Sequence, residues 1–556
     1  MHPHPCPLAG EGDEVSHCEF YFIDKQWISQ LMSLNLSVPA PAQQANIPVE
    51  TRVDQVSSWL GQLSSGYVAE TASEMYKALA ALNRYPMDAA SRMELLEAYR
   101  AAIDNLLPAM KTQFVIVPLP LPEKNRRVAE LNRQLYVELG YGYKIVLLES
   151  IKHPSALTVQ RAISSLGQVL AICYETYAPA PAGVWSEIHQ LYRFAAQHGL
   201  LDKSVEEGAL TVSAGFSYKQ ALLLAVADPY HLMQGEVIRI LDYIGRFAQL
   251  TQLQTEAQIG DAGGLFLVRL DSDAPPKVLP KTLNRVDGET AVLFNTLGLA
   301  AQLSQQLGGL EAGIFPIDLL LPDAAREQPY RNLMRRLLKH WGVSAKRHFN
   351  RKHYHASVDI CVGIRAIHYF LYGEQVYGAA TGHSNEVALG EGELDFSPAT
   401  HGKNAQFSSS QWNIVNESAG GMALTQVSNI PPQLRAGEIV GLRAAGSLQW
   451  HIAVVRWVKS DETNRLDLGI QLIAPSATAV AIKPAVGSAN QPFTTALLLP
   501  EIPLLKQPPC VVVPRGGYQA QHEFLMEQGG GAVTAFKAEK LVESTVVFER
   551  FQFSLG

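Results

Sequence analysis

Two arginines four positions apart, Arg347 and Arg351, stand immediately before a strand-like run. A guanidinium suits phosphate because its planar fork donates two parallel hydrogen bonds and stays charged. The same fork can read the O6/N7 edge of guanine or lie on a purine face. Further along, Asn416-Glu-Ser-Ala-Gly-Gly421 places Asn416 and Ser418 two residues apart, so in extended geometry they point the same way. Both carry small polar groups that bond a base edge or a backbone amide. Gly420 and Gly421 allow positive φ and close backbone approach. Two such arginines on one short linker could grip a ligand carrying both phosphates and guanines, and the two segments are expected to close on one small anionic ligand.

The arginines close a wholly basic stretch, Tyr330 to His355, holding Arg331, Arg335, Arg336, Lys339, Lys346, Arg347, Arg351 and Lys352 without an acid. The chain as a whole has a formal net charge of -7. A basic block in an acidic chain repels itself unless an anion or solvent screens it. Arg331 and Arg335 form a second Arg-x-x-x-Arg pair, but on a helical pattern. The pair 347/351 is preferred because it adjoins a strand, with Arg335 and Arg336 as auxiliary candidates. His340, His348, His353 and His355 lie in the same stretch, where the surrounding cations would repel a metal ion, so no metal is expected.

At 556 residues the chain has room for about two to four domains. Apolar content of 47% and charged content of 17% are those of a globular protein. No apolar run reads as a membrane span, and MHPHPCPLAGEGDEV has neither the basic region nor the apolar core of a secretory signal. The five cysteines are scattered and odd in number, so no disulfide framework is expected and the cytoplasm is the expected location. The acidic balance argues against binding a nucleic-acid polymer. No Gly-x-x-x-x-Gly-Lys-Ser/Thr, Gly-x-Ser-x-Gly or His-Glu-x-x-His occurs, so no catalytic residues are assigned and no enzyme is expected.

The elements that must position these residues follow from periodicity. Residues 1–45 read as a poorly ordered arm, with CEFYFIDKQW (18–27) as a short strand or docking segment. From Val49 the period is helical, with Val49, Val53, Val56, Trp59, Leu60 and Leu63 on one face. Helices are predicted over 68–83, 88–112, 123–150, 156–177, 184–198, 217–227 and 235–252, with Asp88 as a cap and Pro122 opening the helix after it. They suggest an all-α bundle or a helical-repeat-like array. GLFLVRL (264–270) reads as a strand, 290–307 as a helix, and 329–341 as the amphipathic basic helix with Leu333, Leu337 and Leu338 on one side and Trp341 nearby.

After Arg351 the pattern turns to strands. HASVDICVGIRAIHYFL (355–371) reads as one strand-like run, and 372–410 as a mobile insertion with turns near Gly382 and Gly402. WNIVN, GMALTQV, EIVGLRA, QWHIAVVRWVKS and LDLGIQLIA come next as short strands, which argues for a small antiparallel barrel or sandwich. TALLLP, PCVVVP, AVTAFKA and STVVFERFQF extend it or form a second β-unit, and Gly529–Gly531 reads as a hairpin turn.

Arg-x-x-x-Arg before a strand, with Asn-x-Ser-x-x-Gly after it, resembles the signature of the PilZ domain, a bacterial receptor for cyclic di-GMP. Val454-Val-Arg-Trp457 and Leu468-Gly-Ile-Gln-Leu472 are similar to the closing strands of that six-stranded barrel. The resemblance implies that Arg347 and Arg351 clasp phosphates and guanine edges, that Asn416 and Ser418 touch a guanine, and that Gly421 permits the turn. The separation between Arg351 and Asn416 exceeds the family's usual spacing and implies an insertion. The whole chain, a long helical region ahead of an atypical PilZ unit, also resembles large PilZ proteins linked to surface attachment and type IV pili.

The expected fold is therefore multi-domain α + β: an arm over 1–45, a mainly helical domain over 46–325, a PilZ-like six-stranded antiparallel barrel with its basic helix and linker over 326–480, and a C-terminal β-rich extension over 481–556. The expected function is that of a cyclic di-GMP receptor without cofactor. Ligand would order the linker 342–352, fix the helix 329–341 against the barrel, and thereby switch an interaction with a protein partner controlling attachment, pili or motility. The alternative is an interaction scaffold with a degenerate barrel that binds no nucleotide.

Overall fold

Helices dominate the first half because apolar residues recur there at three- and four-residue steps. A computed structural model describes residues 34–41, 49–63, 66–207, 210–256, 263–280, 282–283, 285–342, 352–353, 356–377, 407–418, 420–427, 434–461, 463–485, 492–503, 506–529 and 531–555. The helices are α1 (Val53–Gln62), α2 (Val68–Arg84), α3 (Ala89–Lys111), α4 (Glu123–Glu149), α5 (Ala156–Glu175), α6 (Val184–Gln197), α7 (Ala214–Val226) and α8 (Glu236–Phe247). A hairpin of β1 (Val205–Glu207) and β2 (Leu210–Val212) lies between α6 and α7. Asp88 caps α3, its carboxylate accepting from Ser91 N at 2.9 Å, and Pro122 stands at the start of α4, as predicted. Helix α4 packs on α2, α3 and α5, and α5 on α4, α6, α7 and α8. A solenoid repeat touches only its neighbours; this pattern is a bundle. Helix α5 is long and apolar enough by length and composition to cross a membrane, but 72% of that stretch is buried in the bundle.

A four-stranded sheet comes next, in the order β3 (Gln252–Gln254), β6 (Ala291–Asn295), β4 (Leu265–Arg269), β5 (Lys277–Val278). The expected helix over 290–307 therefore begins as a strand: Ala291–Asn295 pairs with β4, and α9 starts at Leu297 and runs to Glu311. Leu299, Leu303, Leu307 and Leu310 keep the helical period, whereas Ala291, Val292, Leu293 and Phe294 are a continuous buried run, which suits a covered strand. The basic helix, α10 (Gln328–Gly342), buries Tyr330, Leu333, Met334, Leu337 and Trp341. Trp341 is fully buried; its indole N–H donates to Leu223 O at 3.3 Å, and Thr296 Oγ1 donates to its carbonyl at 2.5 Å. This helix is thus part of the helical body's core, not an element waiting on the barrel.

Strands β7 (Lys352–His353), β8 (Ser357–Val362), β9 (Ser410–Ser418), β10 (Gly421–Gln426), β11 (Ile439–Ala444), β12 (His451–Ser460) and β13 (Leu466–Ala474) form one antiparallel sheet, ordered β10-β13-β12-β11-β8-β9-β7. Strand β10 also pairs with β9, so six strands close into a barrel with β7 as an added edge. The run 355–371 is not one strand. Gly363 takes φ +86° and ends β8, and α11 (Ile364–Leu371) then buries Ile364, Ile367 and His368 at helical spacing. Most of the expected insertion 372–410, with Gly382 and Gly402, lies outside the described residues, as do the arm to residue 33 and the linker 343–351.

The C-terminal β-rich segment is a second unit. Strands β14 (Thr478–Pro484), β15 (Thr494–Leu499), β16 (Cys510–Pro514), β17 (Glu523–Gln528), β18 (Ala532–Ser544) and β19 (Phe548–Leu555) close as β14-β15-β16-β19-β18-β17. Its interior is Val480, Ile482, Val511, Phe524, Phe536 and Phe551. Gln528 pairs with Ala532, so Gly529 and Gly531 sit in the hairpin turn, with Gly531 at φ +84°. Helix α11 lies between the barrels, where Ile364 and Ile367 share an apolar cluster with Ile452 and Val454 of the first and Leu497 and Val512 of the second.

Candidate functional site

The candidate residues Asn416, Ser418 and Gly421 lie where β7, β9 and β10 meet. Strand β9 pairs with β8 through Ser410–Asn413 and with β7 through Asn416 and Glu417, while its other edge carries β10. In the β7 pairing, Lys352 lies opposite Glu417 and His353 opposite Asn416. The register slips between Ala423 and Leu424, whose partners are Asn416 and Ile414, so Val415 is an extra residue on β9. A bulge of this kind bends a strand and re-aims the side chains beyond it; here those are Asn416 and Ser418, both half-buried.

Strand β10 begins at Gly421, opposite Ser418. Ser418 Oγ donates to Gly421 O at 3.1 Å, holding the turn. Gly421 does not use a positive φ; its requirement is close approach, since a Cβ there would lie 2.0 Å from Ile470 O on β13. The residue opposite Gly421 on β13 is Gln471, and Gln471 Oε1 accepts from Arg456 Nε on β12 at 2.7 Å. Arg456 also pairs through Nη1 with Glu543 of the second barrel, and Glu543 with Arg550 at 3.3 Å. The polar line Gln471–Arg456–Glu543 thus runs from the site's glycine to the neighbouring barrel. In the sequence Arg456 reads only as part of a strand; its partners Gln471 and Glu543 come from two other strands, one of them in the second barrel.

The closing strands carry one further feature. Trp457 on β12 lies opposite Gly469 on β13, and a Cβ on Gly469 would fall 1.8 Å from the indole nitrogen. The indole therefore covers the glycine, and only glycine fits beneath it.

Of the arginine candidates, Arg347 and Arg351 lie outside the described residues; Lys352, the residue after Arg351, is the first of β7. The auxiliary candidates are engaged on the helical body. Arg335 pairs with Glu311 of α9 at 2.7 Å, and Arg336 pairs with the buried Glu236 of α8. Among the described residues no group of three or more His, Cys, Asp or Glu side chains could hold a metal ion.

A closed six-strand antiparallel barrel with Asn-x-Ser-x-x-Gly at a β9–β10 hairpin and Trp opposite Gly in its closing strands defines a PilZ-type receptor barrel. Three family models match in succession: the N-terminal domain of the cyclic-di-GMP receptor FimW over 54–258, its middle PilZ domain over 265–397 and 388–479, and its C-terminal β-barrel domain over 479–555. The chain belongs to this FimW family of PilZ-containing cyclic-di-GMP receptors. A curated relative from Pseudomonas aeruginosa, named cyclic-di-GMP receptor FimW, is 27% identical over 88% of this chain and 88% of its own.

Proposed function

We propose that this chain binds cyclic di-GMP at the β7/β9/β10 corner of its first barrel, through Arg347, Arg351, Asn416 and Ser418, with Gly421 as the backbone position that lets the hairpin close. The observation that carries this reading is the β7–β9 pairing. Lys352 stands opposite Glu417, next to Ser418, and consecutive Cα atoms are about 3.8 Å apart. Arg351 directly precedes Lys352 in the chain, which supports a reading in which the arginine motif and the Asn-Ser pair serve one ligand despite the long insertion between them in sequence. Arginine forks supply phosphate and guanine-edge contacts, and the small amide and hydroxyl supply base-edge contacts. The ligand is the effector, with no cofactor and no catalytic step.

The output is a protein–protein switch controlling surface attachment, pili or motility, exerted in the cytoplasm on a partner still to be identified. With α10 already anchored by Trp341 and Arg336, the element that responds is the linker from Gly342 to Lys352. Ligand neutralises the cations of that stretch, and the switch acts through this change of charge. The division of labour keeps the expected order of helical region 46–325, receptor barrel and β extension 481–556, except that the basic helix of the 326–480 unit packs with the helical body. The test is thermal melting of the full chain with and without cyclic di-GMP. A saturable rise in melting temperature supports the receptor; no shift at millimolar ligand favours the scaffold reading with a degenerate barrel.

A further inference from the structure

Gln471 shares a row with the candidate site. Antiparallel partners point to one face of a sheet, and Ser418 on β9, Gly421 on β10 and Gln471 on β13 stand opposite one another in register. Gly421 adds no side chain to that row, so Ser418 and Gln471 flank a bare stretch of backbone. Arg456 Nε donates to Gln471 Oε1 at 2.7 Å. An amide is planar, so this bond fixes its sense and turns the Nε2 donors of Gln471 away from Arg456. Those donors match phosphate oxygens and the O6/N7 edge of guanine.

Two features set Arg456. The register slips between Val455 and Trp457, whose partners are Ile470 and Gly469, so Arg456 is the extra residue of a bulge on β12. Bulges re-aim side chains and are over-represented beside functional sites. The guanidinium is then held from its far side, where Nη1 donates to Glu543 Oε1 of β18 at 2.5 Å. Glu543 is itself fixed within the second barrel, opposite Arg550 in register and 3.3 Å from its Nη2. The Glu543 and Arg550 side chains are 14% and 11% exposed, so water competes little for the carboxylate. A buried ion pair is weak evidence for stability; what this one provides is direction. One guanidinium donates through Nε to the first barrel and through Nη1 to the second, which a planar fork can do and the point charge of a lysine cannot.

We propose that the second barrel is part of the receptor's binding unit: Glu543 sets Arg456, Arg456 sets Gln471, and Gln471 presents a donor to the nucleotide beside Ser418. Arg456 and Glu543 are positioning residues that touch no ligand. The inference rests on cyclic di-GMP binding at the β7/β9/β10 corner. The test is calorimetric titration of cyclic di-GMP into the full chain. Gln471→Ala and Glu543→Gln each weaken binding roughly tenfold, and Arg456→Lys, which keeps the charge and loses the fork, does the same. In a Gln471→Ala background Glu543→Gln costs nothing further, because the residue through which it acts is gone. A general loss of packing would instead weaken binding to the same extent in both backgrounds. If Glu543→Gln impairs folding, Arg456→Lys and Gln471→Ala carry the same cycle. Wild-type affinity in both Glu543→Gln and Arg456→Lys, with Arg351→Ala still defective, overturns this inference and leaves the proposed site standing. Additive losses overturn it too. A wild-type chain that binds no cyclic di-GMP overturns the receptor reading, and this inference with it.

Discussion

His353 and Asn416 stand opposite each other in antiparallel register, although a long insertion separates them in the chain. That pairing joins the end of the basic linker to the strand that carries the small polar residues. On the proposed reading, Asn416 and Ser418 are one half of a two-part site. Asn416→Ala and Ser418→Ala should each weaken cyclic di-GMP binding about ten- to a hundredfold, the range of one lost hydrogen bond to a charged or base-edge partner. Calorimetric titration reads the affinity, and thermal melting without ligand should move little, because both side chains are only half-buried.

Gly421 separates fold from function. A Cβ there meets Ile470 O at 2.0 Å, so Gly421→Ala has to push β10 off β13. The expected cost is about 1–3 kcal/mol of stability, as for other overpacked sites. Urea unfolding measures it, and an unperturbed midpoint would contradict that close approach.

Much of this arrangement is legible in the sequence, and the parts that are not have physical causes. Helices with sustained periodicity, such as 123–149, and strands bounded by glycine or charge, such as 439–444, emerge within a residue or two of expectation. The failures lie where two periods overlap. Ile360, Val362 and Ile364 alternate like a strand, but Gly363 at φ +86° breaks it, and Ile364, Ile367 and His368 belong to a helix. Thr290–Asn295 precedes a strong leucine period, which draws a buried strand into the adjoining helix. The motif Asn416, Ser418, Gly421 is readable because its residues are close in sequence. The line Gln471–Arg456–Glu543 is not, because its members meet only when two barrels close.

Trp341 shows where the basic helix belongs. It is fully buried, stacks on Tyr243 with ring centroids 5.9 Å apart, and is hydrogen-bonded at both its indole and its carbonyl. Trp341→Ala should destabilise the helical body by about 3–5 kcal/mol, read as a lower denaturation midpoint. A mild effect would mean that α10 is only loosely docked.

Glu438, at the start of β11, is 6% exposed, with Arg435 Nε at 3.6 Å. Burial pushes its carboxyl up to about 7, against the opposing pull of Arg435. In the unfolded chain it titrates near about 4.3. Between these values the folded state keeps a proton that the unfolded state has lost. Stability from this group is therefore full below the lower value, falls as pH rises from there through about 7, and then levels off, a change of about 4 kcal/mol. Glu438→Gln should flatten that part of the pH profile and raise stability at pH 8 relative to wild type. Calorimetric melting at pH 5 and pH 8 checks both, and an unchanged pH dependence in the variant would contradict it.

The most direct measurement of the central claim is isothermal titration of cyclic di-GMP into the full chain and into Arg351→Ala. If the β7–β9 pairing sets the arginine motif against Asn416 and Ser418, the wild type binds, and the variant loses about a hundredfold or more in affinity with its fold intact, as expected for removing a charge-assisted bidentate contact. Unchanged affinity in Arg351→Ala would contradict the site.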